Sequence, residues 1–154
     1  MMIDILALLI GVIAGLRAMT PVAVLSCAAR MGWLPLQGTP LAFMGYAVTP
    51  WLLVLAALGE LVNDKLAKTP SRMIPMQFGT RLVTGAWAGA TLTAAHSSLW
   101  PGLIIGALGA ALGTWSGHRA RRALALAFHN DLPAALLEDA VAIAGAVLIV
   151  LATA

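Results

Sequence analysis

Two long stretches of the sequence contain no charged residue, and they constrain the fold more than any other feature. Residues 31–59 and residues 82–118 lack Asp, Glu, Lys and Arg. A helix needs only about 20 apolar residues to cross the hydrocarbon core of a bilayer. Backbone groups that face lipid must be hydrogen-bonded within the chain, and neither stretch has the strict alternation of a transmembrane strand. We therefore predict an all-α membrane protein.

Composition supports this prediction. The chain is 61% hydrophobic and 10% charged, whereas soluble domains average about 45–50% and 25%. The single cysteine, Cys27, excludes an internal disulfide, and no His or Cys pair has the spacing of a metal site. Most basic residues flank apolar runs instead of forming a separate polar stripe. We expect membrane lipids as partners, no nucleic acid, no metal and no cofactor.

Apolar runs and the prolines between them predict a single transmembrane domain, residues 1–154, arranged as a polytopic helix bundle. About five transmembrane helices are expected, over residues 3–20, 50–66, 76–96, 102–117 and 134–154. Two further apolar segments are short, and each can cross, re-enter or lie on the membrane: residues 21–33 and 41–49. The basic segment 118–133 is expected to form a helix along the membrane surface.

Positive charges predict the orientation. They concentrate in two loops, at Lys65, Lys68, Arg72 and Arg81 and at Arg119, Arg121 and Arg122. The positive-inside rule places both loops in the cytoplasm, with the N-terminus cytoplasmic and the C-terminus external. In this topology "LLIGVIAG" (residues 8–15) and "LIIGALGA" (residues 103–110) run in opposite directions, which raises an inverted repeat as a possibility.

Glycines recur at spacings of three or four, which lets helix backbones approach closely. The predicted helix-packing residues are Gly85, Gly89, Gly106, Gly109 and Gly113. Packing within one chain explains such stripes. Pairing between subunits is the alternative, so a homo-oligomer stays open.

Acidic residues fall at the predicted cytoplasmic end of two helices. Glu60 and Asp64 are four apart and share a helical face, and Glu138 and Asp139 begin the last helix at a similar depth. Arg81 lies four residues before Gly85, so it points at another helix. These five residues are candidates for substrate or ion binding, and a structural ion-pair network is the competing interpretation.

Arg17 is the sixth candidate. We predict it at the outer end of the first helix, where it either snorkels to the head groups or uses the break before Pro21 to reach a pocket.

The same residues carry a family resemblance. "GLRAMTP", "GELVNDKLAKTPSR", "RLVTGAWAGA" and "DLPAALLEDAVAIAG" together resemble a family of small bacterial membrane proteins, the domain-of-unknown-function (DUF) family 4126. The resemblance implies a membrane fold in the bacterial inner membrane and no particular reaction. Relatives often have proline where this chain has Ala67. The matching motif positions are Arg17, Pro21, Glu60, Asp64, Lys65, Pro70, Arg81, Glu138 and Asp139.

Three functional classes follow. Intramembrane charges favour a transporter or channel, with a charged site near the cytoplasmic side for a small cation, a proton or a lipid head group. Four carboxylates on two helices exceed what Arg81 and Lys65 neutralise, which favours a cation. A non-catalytic scaffold or accessory subunit is the alternative. A lipid-modifying enzyme is least favoured, since no nucleophile, phosphate-loop or zinc motif is present and no catalytic residue can be assigned.

Overall fold

A computed structural model describes residues 1–65, 74–96 and 98–153, and this part of the chain is helical without any strand. It contains six α-helices and a 3₁₀-helix: α1 Met2–Leu16, α2 Met19–Arg30, the 3₁₀-helix Ala42–Gly45, α3 Thr49–Asn63, α4 Pro75–Ala94, α5 Leu99–Phe128 and α6 Asp131–Leu151. The all-α prediction is confirmed. The predicted loop that contains Lys68, Pro70 and Arg72 lies almost entirely outside the described residues.

The first predicted span, residues 3–20, is wrong at its C-terminal end. α1 stops at Leu16 because Arg17 is extended, with φ −137° and ψ 111°. Pro21 does not end a helix; it is the third residue of α2. The first four N–H groups of a helix have no partner within the helix, so a proline there costs no helical hydrogen bond. Most of the segment 21–33 therefore belongs to a separate helix with a largely buried face.

The predicted surface helix at residues 118–133 is also wrong. α5 continues without interruption through this segment to Phe128, since no proline or glycine follows Gly117 to stop it. The helix ends where His129 adopts a left-handed conformation, with φ 54°. Asn130 then caps α6 by accepting a hydrogen bond from the Leu132 N–H.

Among the described helices, α5 and α6 are long and apolar enough to cross a membrane, which suggests a membrane protein. At 30 residues α5 is about 45 Å long, against a hydrocarbon core of about 30 Å. The other described helices are too short or not apolar enough to meet the same criterion. The criterion therefore does not support the prediction of about five transmembrane helices.

α1 and α5 pack closely and run in the same direction. Gly11 of α1 lies against Gly106 of α5, and Gly15 lies against Ala110 one turn further along both helices. The inverted arrangement expected of residues 8–15 and 103–110 is therefore wrong. Equivalent glycines of the two similar segments touch each other in parallel helices.

α4 runs antiparallel to α5 and packs against an adjacent face of it, which shares Gly106 and Ala110 with the α1 contact. Gly85 lies against Gly106 and Ala110, whereas Gly89 lies against Gly102 and Gly106. The other predicted packing glycines, Gly109 and Gly113, approach the α1 backbone at Leu8 and Val12. All five predicted glycines thus lie in contacts within one chain.

Helix directions alternate along the chain. α6 runs antiparallel to α1, because Gly145 lies against Ile13 while Asp139 pairs with Arg17. α2 leads away from Arg17, and α3 returns to it. Both termini consequently lie at the end of the bundle opposite Arg17. The expectation that the termini lie at opposite ends of the bundle is wrong, since α2 is an additional helix that the five-helix prediction did not count.

Large apolar side chains are exposed on the surface, and a few charged side chains are buried beside the apolar core. The outer face of α3 carries large apolar side chains, each more than half exposed: Trp51, Leu52, Leu55, Leu58 and Val62. Two arginines, Arg17 and Arg81, are buried in the interior together with Glu138 and Asp139. Pro50 lies in the first turn of α3, as predicted.

Candidate functional site

The break between α1 and α2 is the centre of a cluster of charged side chains. Arg17 sits in the break and is fully buried. Its Nη1 is 2.6 Å from Asp64 Oδ2, and its Nη2 is 2.5 Å from Asp139 Oδ1 and 3.9 Å from Glu138 Oε2. The prediction that Arg17 lies at the end of the bundle opposite the acids is wrong, because α1 and α3 both run toward this end.

Glu60 caps the beginning of α2. Its Oε1 accepts a hydrogen bond from the Ala18 N–H and its Oε2 accepts one from the Met19 N–H, each at 2.8 Å. A carboxylate at a helix N-terminus also interacts favourably with the helix dipole. Glu60 thus serves two backbone donors that the broken helix leaves without partners.

Arg81 caps the end of α1 in the complementary way. Its Nη1 donates to the Gly15 carbonyl at 2.9 Å and to the Leu16 carbonyl at 2.7 Å. The Arg81 guanidinium is 3.8 Å from the Glu60 carboxylate, so the two oppositely charged caps also lie side by side. Backbone groups at a helix break cannot be satisfied by lipid, and these two side chains satisfy four of them.

Lys65 extends the cluster at the end of α3. Its Nζ is 2.5 Å from Asp139 Oδ2 and donates to the Leu61 carbonyl at 2.9 Å. Asp139 therefore lies between two cations, Arg17 and Lys65. Lys65 was carried over from the family resemblance, and the structure brings it to the same carboxylate as Arg17.

Arg121 also belongs to this cluster, although the sequence analysis did not include it among the candidate site residues. It pairs with Asp64, and its Nη1 is 3.3 Å from Glu138 Oε2. Its Nε and Nη2 bind the two oxygens of Asp131 at 3.1 Å and 2.7 Å. The spacing of residues could have predicted this position, because Arg121 follows Gly113 and Gly117 at intervals of four and so continues the packed face of α5.

The comparisons with known proteins identify a family. The family model described as a domain of unknown function, DUF4126, matches residues 5–153. The chain belongs to this family. No curated protein and no solved structure matches it. The sequence resemblance is thereby confirmed over nearly the whole chain, and the description of the DUF4126 family assigns no activity.

Acidic and basic side chains alternate in one cluster within the described part of the DUF4126 chain. We use "charged network" for four carboxylates and four bases: Glu60, Asp64, Glu138 and Asp139 with Arg17, Lys65, Arg81 and Arg121. The expectation that only Arg81 and Lys65 face the four carboxylates is wrong, since Arg17 and Arg121 also pair with them, and Arg121 binds a fifth carboxylate, that of Asp131. All six predicted candidates are in this network, where Lys65 and Arg121 join them.

A half-open pocket of about 140 Å³ adjoins the charged network between α5 and α6. Arg121 and Glu138 contribute to its wall, and its other lining residues are apolar or glycine. Glu60 and Arg81, whose contact with a polar cavity would favour transport, do not line it. Among the described residues, no group of three or more His, Cys, Asp or Glu side chains is arranged to hold a metal ion.

Proposed function

We propose that this DUF4126 protein is a multi-pass protein of the bacterial inner membrane in which all six α-helices lie in the bilayer. Exposed apolar faces such as that of α3 support this placement, because monomeric soluble proteins rarely expose large contiguous apolar patches. α1 and α2 are only about 22 Å and 18 Å long. Their polar break is tolerable at membrane depth because it is buried in protein.

The charged network faces the cytoplasm in this proposal. Lys65, Arg119, Arg121 and Arg122 all lie toward this end of the bundle, and the positive-inside rule assigns such an end to the cytoplasm. Both termini then lie on the external side. This replaces the orientation that the sequence suggested for the N-terminus.

We further propose a non-catalytic role, as a membrane scaffold or accessory subunit, with the charged network as a structural element. The observation that carries this proposal is the double cap at the helix break, where Glu60 and Arg81 bind the backbone of α2 and α1. Each buried backbone group left without a partner would cost about 1–3 kcal/mol. A network that serves these backbone groups has a structural purpose without any ligand.

Transport is the second candidate, and the interrupted helix is the observation that favours it. In many transporters the ends of discontinuous helices bind the charged groups of the substrate. Here the carboxylate of Glu60 and the guanidinium of Arg81 occupy those helix ends. A transport cycle would require these two side chains to move away and admit an ion or substrate.

Thermal stability in lipid nanodiscs, with and without cations, separates the two candidates. A protein that binds a cation in its folded state is stabilised by about 2.7 kcal/mol at a hundredfold excess over the dissociation constant. The scaffold proposal predicts no change in melting temperature when Na⁺, K⁺ or Mg²⁺ replaces a bulky organic cation at constant ionic strength. Stabilisation that is lost in Glu60→Gln and kept in Asp4→Asn would establish transport-type binding instead. Asp4 is a suitable control because it pairs with the N-terminus, far from the network.

A further inference from the structure

The segment between α2 and α3, residues 31–48, contains no charged residue and a single short 3₁₀-helix. We call it the cap segment. It folds back against the last turns of α2, because the Ser26 hydroxyl donates to the Met44 carbonyl at 2.6 Å and Gly45 lies against the Ala29 backbone. Its buried apolar side chains extend the core: Leu34, Leu36 and Met44. The segment therefore covers the end of the bundle opposite the charged network.

Four aromatic side chains are exposed at this same end, and we call them the aromatic rim: Trp33, Tyr46, Trp51 and Trp100. Trp33 and Tyr46 belong to the cap segment, whereas Trp51 and Trp100 lie in the first turns of α3 and α5. Both helices begin at this end, since their other ends reach the charged network. Tryptophan and tyrosine concentrate where a bilayer meets water, because each ring has an apolar body and a polar group.

Two physical constraints restrict the depth of the cap segment in a membrane. Backbone outside regular structure cannot face the hydrocarbon core, which offers no water to its polar groups. Contiguous exposed apolar surface without any charge is equally unsuited to bulk water. The head-group layer meets both constraints, because it supplies polar partners for the backbone and apolar contact for the rings.

We propose that the cap segment and the aromatic rim bind the head-group layer of the external leaflet. The partner is the lipid surface itself, with the rings at the boundary between head groups and acyl chains. Residues 41–49, which by sequence could cross, re-enter or lie on the membrane, lie on it in this arrangement. The inference rests on the membrane placement proposed above, and it is independent of whether the charged network is structural or transports an ion.

The length of α5 supports this level for the aromatic rim. From Trp100 to Arg119 the helix rises about 28 Å, close to the hydrocarbon thickness of about 30 Å. Arg119 stacks on the exposed ring of Trp115, with its Cζ 3.9 Å from the ring centroid. An aromatic ring with a basic side chain suits the opposite boundary of the bilayer. A rim at the external boundary thus places the cytoplasmic boundary beside the charged network.

Quenching of tryptophan fluorescence by brominated lipids measures this depth. Three variants each keep Trp33, Trp51 or Trp100 and have phenylalanine in place of the other tryptophans. Four of the five tryptophans are exposed, so these substitutions largely spare the core, and circular dichroism checks the fold. In vesicles of phosphatidylcholine, bromines near the head group should quench all three residues more strongly than bromines near the chain end.

Leu108→Trp, in a chain whose other tryptophans are replaced by phenylalanine, is the matched control for the bilayer centre. Leu108 is 58% exposed and lies about 12 Å along α5 from Trp100. Its ratio of shallow to deep quenching should fall below one, whereas the ratio at the three rim tryptophans should exceed one. A chain that keeps only the partly buried Trp87, which packs near Phe43, should be quenched least.

The outcomes separate this inference from the membrane placement. Stronger deep than shallow quenching at Trp33 and Trp51 would overturn the inference, because the cap segment would then enter the hydrocarbon. Unquenched rim tryptophans beside a quenched Leu108→Trp would also overturn it and leave the membrane placement standing. An unquenched Leu108→Trp would overturn both.

Wild-type protein provides a second readout that needs no substitution. A phospholipid with a photoreactive group in its head group should cross-link to peptides from residues 31–48 after illumination of reconstituted protein. Cross-links confined to the region around Arg119, at the other boundary, would overturn the inference.

Discussion

Glu60 and Arg81 should contribute to stability almost independently, although their charges are adjacent. Each side chain makes two hydrogen bonds to backbone groups at the helix break, between 2.7 Å and 2.9 Å. Side-chain hydrogen bonds between membrane helices average about 0.6 kcal/mol, and bonds to charged groups reach about 1.5–3 kcal/mol. Glu60→Ala and Arg81→Ala should therefore each lower the free energy of unfolding by roughly 1–6 kcal/mol.

The contact between the two side chains is a smaller contribution. At 3.8 Å the closest nitrogen and oxygen atoms are too far apart for a hydrogen bond. We expect a coupling energy below about 1 kcal/mol, with a loss in the double variant close to the sum of the two single losses. If Glu60 and Arg81 stabilised the fold mainly through their own ion pair, removing the second side chain would recover much of the stability lost by removing the first.

A double-mutant cycle measures this coupling. The free energy of unfolding is obtained from reversible denaturation in mixed micelles for the wild type, both single variants and the double variant. Asp4→Ala with Arg122→Ala is a distant control pair and should show no coupling. If the double variant of Glu60 and Arg81 is no less stable than either single variant, the assignment of both side chains to the backbone is refuted.

Two further predictions concern single positions. Gly106→Ala should lower the free energy of unfolding by about 1–3 kcal/mol, because the new Cβ would collide with the Gly85 carbonyl. In the control Gly59→Ala the new Cβ enters open space, so this variant should be neutral or stabilising by up to about 1 kcal/mol. Equal effects of the two substitutions in the same unfolding assay would contradict the α4–α5 packing. Arg17→Met should cost about 3–5 kcal/mol because it breaks the buried ion pairs of Arg17 with Asp64 and Asp139, against about 0.5 kcal/mol or less for the exposed Arg122→Met, and a smaller cost for Arg17→Met would contradict its place in the charged network.

The helical fold and the location of the acidic residues were predictable from local features of the sequence. Charge-free stretches indicate apolar helices, and a spacing of four places Glu60 and Asp64 on one face. The start of α6 follows from the run of polar residues before it, which places Glu138 and Asp139 near the same end. Each of these inferences uses only neighbouring residues.

Arg17 and Arg121 were misplaced because their positions depend on where helices end. Pro21 can end one long helix at the residue before it, and it fits equally well in the first turn of a second helix. The structure adopts the second arrangement because Glu60 and Arg81, more than 40 residues away in sequence, satisfy the broken backbone. Similarly, nothing local ends α5 at Gly117, so Arg121 stays on the packed face.

Local sequence features also could not predict which helix each glycine stripe contacts. Spacing identifies a flat helix face, and several helices of this chain have one. Which two faces meet is decided by the topology of the whole bundle, in which α5 packs against α1 on one side and α4 on another. Gly109 and Gly113 consequently contact α1, within the same chain.

Membrane topology tests most directly the proposal that six helices lie in the bilayer with the charged network at the cytoplasmic end. Reporter fusions at the N-terminus, at the C-terminus and within the segment between Gly117 and Phe128 report the side of the membrane on which each lies. Both termini should lie on the external side, and the C-terminal end of α5 should lie on the cytoplasmic side. Termini on opposite sides of the membrane, as five crossings would give, would contradict this topology.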